Sequence, residues 1–140
     1  MCIRDRLVSV SGRKGEAAQV VLPHVRHLVV PWAAALAVFE QVTLPTWYMR
    51  TLRIWPQVVE LPGDSAAALV SLVFNRGASL TGDRRREMAE IQGLLRVGEL
   101  KQISDAIRSM QRLWPDTAGL RRRRREEAEL FEAGLAPAAE

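Results

Sequence analysis

The sequence predicts an all-α protein, a compact bundle of about six or seven helices. Apolar residues recur at intervals of three and four along most of the chain, which is the signature of amphipathic helices. No segment alternates apolar and polar residues for long, and no Asn-Gly hairpin signal occurs. The connections between helical stretches are short, as in a bundle. At 140 residues the chain is long enough to bury one core.

Each element has its own signals. The first six residues, "MCIRDR", resemble a translated sequencing-adaptor fragment, so residues 1–6 are read as a non-native scar and the lobe as residues 7–133. "GEAAQVVLPHVRHL" reads as a helix that Pro23 splits into two pieces. "PWAAALAVFE" starts at Pro31, where a helix tolerates proline, and continues in strong helix formers. "PTWYMRTLRIW" repeats the device at Pro45 and ends ahead of Pro56.

In "GDSAAALVSLVFNRG", Asp64 or Ser65 is the expected cap, Leu69, Val70, Val73 and Phe74 the buried stripe, and Gly77 the stop. Asn75 and Arg76 suit the end of that helix, Arg76 by complementing its negative pole. Asp83 is the expected cap of the next helix, with Met88, Ile91, Leu94 and Leu95 on one face. Leu100, Ile103, Ile107, Met110 and Trp114 then form an amphipathic stripe that Pro115 closes. The last helix is expected from about Leu120 to Glu132, followed by a frayed tail over 134–140.

Charge narrows the function classes. The chain carries 20 basic and 16 acidic residues for a net +4. Its pI near 10.2 reflects the predominance of arginine, which does not titrate in the accessible range. The run Arg121–Arg125 is followed by Glu126, Glu127, Glu129, Glu132 and Glu140, so the C-terminal segment is near neutral. A basic tail for nucleic acid would not carry its own counter-charges. Yet arginines in a first helical turn oppose the macrodipole, at a cost of about 0.3–1 kcal/mol each. The pairs Arg122–Glu126, Arg123–Glu127 and Arg125–Glu129 are expected to recover part of this, about 0.2–0.5 kcal/mol apiece. Such a conflict between local preference and sequence marks a tertiary or functional constraint. The cluster Arg84–Arg86 reads as a solvated face.

Few residues carry chemistry on their own. Cys2 is the single cysteine and permits no internal disulfide. His24 and His27 lie three apart but lack further ligands, so they read as structural and no metal site is expected. Neither a serine-nucleophile motif nor a phosphate-binding loop occurs. The most apolar stretch, broken by prolines, histidines and Arg26, is not expected to span a membrane.

Two segments carry a resemblance. "ALVSLVFNRG" at Ala68–Gly77 and "MQRLWPDTAGLRRRRREEAELF" farther on resemble the C-terminal lobe of phage-type lysozymes, the glycoside hydrolase family 24 and pesticin-like muramidases. The matching positions are Ala68–Gly77, Trp114, Gly119–Leu120, Arg122–Arg123, Glu126 or Glu127, and Leu130–Phe131. "VVPWAAALAVFEQVTLP" resembles an inserted helix pair of the pesticin-like subgroup, which extends the likeness to residues 12–133. The resemblance implies a lysozyme-like lobe acting on peptidoglycan glycan strands, at the cell wall, as a monomer, with no metal or organic cofactor and no nucleic-acid partner. It implies substrate contacts at Asn75, Arg76, Trp114, Arg122 and Arg123.

The chain departs from the family where the chemistry would lie. A muramidase needs a glutamic acid to protonate the glycosidic oxygen and opposing groups to steady the oxocarbenium ion. The family places them on an early helix and a Gly/Tyr-rich hairpin, which this sequence lacks. Glu16 is the sole early glutamate, and it lies in "GRKGEAAQ", which resembles the segment after that hairpin. The expectation is therefore a substrate-cleft lobe, inactive alone, whose catalytic lobe lay upstream, with Glu16 the residual candidate for the acid. The rival readings are a small basic helical nucleic-acid-binding module using Arg84–Arg86 and Arg121–Arg125, and a non-catalytic cell-wall-binding or immunity-type protein.

Overall fold

The computed structural model describes residues 2–137. Among them every regular element is helical and none is a strand, as the spacing of apolar residues predicts. The chain divides into two compact units, Met1–Gln41 and Val42–Glu140, and each is treated by itself.

The first unit holds three short helices, α1 (Ile3–Val10), α2 (Glu16–Val21) and α3 (Trp32–Val38). Helix α1 begins inside the segment read as a scar. The 3-10 turn Leu22–His24 follows α2 directly, so the chain changes helix type where Pro23 removes a donor. Pro31 is the N-cap of α3 rather than its first residue. None of these elements contains a buried residue. Arg6 meets the His27 ring at 2.8 Å.

A π-helical turn spans Phe39–Thr43. The second unit then runs through α4 (Leu44–Ile54), α5 (Gly63–Arg76), α6 (Arg86–Val97), α7 (Ile103–Ser109) and α8 (Ala118–Leu135). Short 3-10 turns join them, at Pro56–Glu60, Asp83–Arg85, Leu100–Gln102 and Met110–Leu113. Helix α8 packs along α5 and α7, α6 packs on α7, and α4 packs on α5. Trp55, Leu69, Leu72, Val73, Met88, Ile91, Ile103, Ile107, Met110 and Phe131 form the centre of the core. No described helix is long and apolar enough to cross a membrane.

The structure corrects several local expectations. Phe74 does not join the buried stripe: it is 47% exposed and packs edge-on against Trp47, ring centroids 5.2 Å apart. The buried residues of α5 are Ser65, Ala68, Leu69, Val70, Leu72, Val73 and Arg76, so Leu69, Val70 and Val73 are buried as expected while Phe74 falls off that face. Neither Asp64 nor Ser65 caps α5, because the helix starts at Gly63 behind Pro62. Ser65 is buried instead and donates to the Phe131 carbonyl of α8 at 2.8 Å. Asp83 likewise lies within a 3-10 turn and makes no cap bond. Gly77 does stop α5, at φ 80°, a backbone state that costs glycine nothing.

Helix α8 starts two residues earlier than the pattern suggests and continues to Leu135, past the expected Glu132. The assigned tail over 134–140 is thus helical at its start, and its last residues, 138–140, lie outside the described ones. The helix persists because Gly134 sits against the first turn of α5. A Cβ on Gly134 would lie 2.3 Å from Ser65 Oγ and 2.5 Å from the Ser65 backbone nitrogen. Gly134→Ala is therefore expected to destabilise the fold by about 1–3 kcal/mol, an overpacking cost, despite alanine's higher helix propensity. Urea unfolding would show a lower midpoint at unchanged m-value; an equal or higher midpoint would refute the close approach.

Candidate functional site

Helices α5 and α8 bring together the two sequence segments that Arg76 and Arg121–Arg125 occupy, and beside their apolar packing Ser71 of α5 reaches a buried ionic cluster on α8. Glu127, on the inward face of α8, is 4% exposed. Its carboxylate accepts from Ser71 Oγ on α5 at 2.6 Å, from Arg123 Nε at 3.1 Å and from Arg124 Nη2 at 2.9 Å. Arg124 is completely buried, and its Nε lies 2.8 Å from the second Glu127 oxygen. Arg123 also donates to the carbonyl and the hydroxyl of Ser71, at 3.2 and 3.1 Å. The pair is only partly satisfied by hydrogen bonds: Oε1 of Glu127 takes all three, while Glu127 Oε2 and Arg124 Nε and Nη1 have none. The mutual attraction of the two charges must therefore offset much of their burial.

The remaining members of the arginine run go elsewhere. Arg121 donates to the carbonyls of Trp114 and Pro115, in the link between the 3-10 turn Met110–Leu113 and α8. Arg125 reaches Gln111 Oε1 at 3.1 Å, not Glu129 as its four-residue spacing suggests, because the 3-10 turn Met110–Leu113 lies beside α8. Arg122 pairs with Glu126 at 3.7 Å, and both side chains are mostly exposed. So Arg123–Glu127 and Arg122–Glu126 form as the spacing predicts, and Arg125–Glu129 does not. Acceptors outside α8 hold Arg121, Arg123 and Arg125, while Arg122 and Arg124 pair within the helix. Because α8 starts at Ala118, Arg121 alone of the run lies in the first turn, where the helix pole is unfavourable.

Trp114 sits half-buried against the core. The guanidinium of Arg76 lies 5.0 Å from its ring centroid and that of Arg124 5.5 Å, a cation–π arrangement. Arg76 is 7% exposed and donates to the Arg84 carbonyl rather than capping its own helix. Burial, then the neighbouring charges of Arg85, Arg124 and Arg84, lower its pKa to about 10. Asn75 is exposed. Of the five residues implied as substrate contacts, Arg122 and Asn75 thus remain open to solvent, Arg123 is half-buried in the Glu127 network, and Arg76 and Trp114 pack together.

A surface groove follows this junction, lined by Ser71 of α5 and by Gly119, Arg122, Arg123, Glu126, Glu127 and Leu130 of α8. Ser71, and the shared role of Glu127 beyond its expected pairing with Arg123, were the groove features hardest to see in sequence. The available signals were a lone polar residue inside the apolar run of α5 and a glutamate placed to serve both Arg123 and Arg124.

Other glutamates are equally committed. Burial would raise the Glu87 carboxyl, but hydrogen bonds from Arg112, from its own backbone N–H and from Arg86 outweigh this and hold it below the usual range. Arg112 also ties Glu87 to Asp83. Glu132 takes a bidentate bond from Arg108 at 2.6 and 2.7 Å, which with Ser104 lowers its pKa to about 2. Glu16, at the first turn of α2, is exposed. Among the described residues no group of three or more His, Cys, Asp or Glu side chains is placed to hold a metal ion. The chain matches no protein-family model, no curated protein and no solved structure.

Two outcomes follow for stability. Arg122→Ala should change unfolding free energy by no more than about 0.5 kcal/mol, whereas Arg124→Ala should cost about 3–5 kcal/mol by stranding Glu127; equal costs would contradict the partition. Because the folded pKa of Glu132 is depressed, its pairing contributes fully above the unfolded carboxyl value of about 4.5 and fades as pH falls toward about 2. Glu132→Gln should flatten the stability–pH curve within that window, and a curve of unchanged slope would refute it.

Proposed function

We propose that this chain contributes the glycan-binding wall of a lysozyme-like peptidoglycan muramidase. The observation that carries the reading is the meeting of two segments. Ala68–Gly77 and Gly119–Phe131, the stretches that resemble phage-type lysozymes, lie against each other and frame the groove. The groove is open and carries alternating donors and acceptors from Ser71, Arg122 and Glu126, which suits hydroxyl, acetamido and carboxylate groups of a glycan strand. Arg122 would meet a lactyl or stem-peptide carboxylate, and Glu126 a sugar hydroxyl.

The buried or arginine-paired glutamates Glu87, Glu127 and Glu132 do not suit the proton-donor role. A glycosidase acid needs a carboxyl whose pKa is raised. Glu87 and Glu132 are pulled the other way by arginines, and Glu127 sits between two arginines, with three donors on its Oε1. We therefore assign binding rather than proton transfer to this part of the enzyme, with Glu16 the residue to test for hydrolysis.

Sedimentation with purified peptidoglycan is expected to show saturable binding, weakened about tenfold, or roughly 1.4 kcal/mol, in Arg122→Ala/Glu126→Ala. Reducing-sugar release is expected to stay at background. Release that disappears in Glu16→Gln would place the acid in this chain. Absent binding, with salt-sensitive retention on DNA between about 50 and 200 mM salt, would replace the reading by the nucleic-acid one.

A further inference from the structure

Positive charge at the end of α5 exceeds the acid available to balance it. Arg76 is buried, its Nε has no hydrogen-bond partner, and its single acceptor among the described residues is the backbone carbonyl of Arg84. That bond draws the Asp83–Arg85 turn over the Arg76 guanidinium. Arg84 is exposed and Arg85 half-buried, and neither side chain forms an ion pair or hydrogen bond among the described residues. The acids nearby are already engaged. Glu87 is held by Arg112 and Arg86, Asp83 by the same two arginines, and Glu127 by Arg123, Arg124 and Ser71.

We propose that Arg76, Arg84 and Arg85 form a binding site for a doubly charged oxyanion, a phosphate or a pair of carboxylates. Packing against Trp114 fixes the plane of the Arg76 guanidinium, and a planar guanidinium presents a fork of donors matched to two oxygens of one anion. The mutual repulsion that lowers the Arg76 pKa, after burial, is what a bound anion would relieve. Arg84 and Arg85 are free to close on it from the solvent side. The site uses no residue of the groove assigned to glycan, so it stands or falls separately from the muramidase reading.

Thermal unfolding of the full chain at pH 7 tests it, with ionic strength held constant by sodium chloride. The ligands are inorganic phosphate in one series and malonate in the other. A saturable rise in Tm is expected, as for any ligand bound only by the folded state. Arg84→Ala/Arg85→Ala, which keeps the Arg84 carbonyl that Arg76 needs, should lower the apparent affinity about tenfold or more. Arg84→Gln, an exposed single change, should give a smaller loss in the same direction. A rise with phosphate alone assigns a phosphate-bearing ligand, and a rise with malonate as well assigns a carboxylate source too. No rise with either anion overturns the proposal. So does a rise that climbs without saturation, or persists in the double variant, because excluded salts stabilise any fold that way.

Discussion

The carboxylate of Glu127 is the point on which the C-terminal unit turns. It is buried, it lies between α5 and α8, and it accepts from a serine of one helix and two arginines of the other. Removing such a charge from water costs several kcal/mol, recovered only when its oxygens are filled by well-placed donors. That requirement fixes the rotation of α8 about its axis, since Arg123, Arg124 and Glu127 must all reach Ser71 or one another. It also fixes the register along α5. One turn later on α8, Phe131 enters the core and takes the Ser65 hydroxyl on its carbonyl, and Gly134 then permits the helices to touch.

From this follows the use of arginine early in α8, where the run begins at the end of the first turn and lies mostly beyond the reach of the helix pole. Arginine suits a buried pair better than lysine, because its planar head makes several directed bonds and remains charged. Arg124 satisfies Glu127, Arg121 caps the carbonyls around Pro115, and Arg125 ties the helix to Gln111. The residue left over, Arg122, stays at the surface beside Glu126. A run that reads in sequence as one basic cluster is thus divided among core, backbone and solvent. Arg122 is the member with freedom to meet a ligand.

Much of the helical order was legible because its signals are local. Pro31, Pro56, Gly77 and Pro115 mark boundaries through φ and missing donors, whatever surrounds them. Pro45 does not start a new helix but lies one residue inside α4, in a helical run that continues through the π-turn before it. The stripes of α6 and α7 follow from spacing alone. What the sequence hid was tertiary. Phe74 looks as apolar as Val73, yet Arg76 takes the inward position because Trp114 and the Arg84 carbonyl receive it. Asp64 and Ser65 look like caps, but Ser65 is drawn to Phe131 on α8. The pairing of Arg125 depended on a 3-10 turn fourteen residues earlier. For the candidate site, Arg122, Arg123 and the Arg123–Glu127 pair were legible by motif and spacing, whereas Ser71 and the burial of Glu127 became visible when the two helices met.

The central claim is that Arg124 and Glu127 are strongly coupled within the fold, and a double-mutant cycle measures it directly. Unfolding free energies of Arg124→Met, Glu127→Gln and the double variant would be compared with the parent chain. Each single change should be costly, since it strands a buried partner, and the double change should cost less than their sum by about 2 kcal/mol or more, at the upper part of the range for contacting residues. A coupling near zero would mean that the two side chains act independently, and that their pairing is not what organises the buried face of α8.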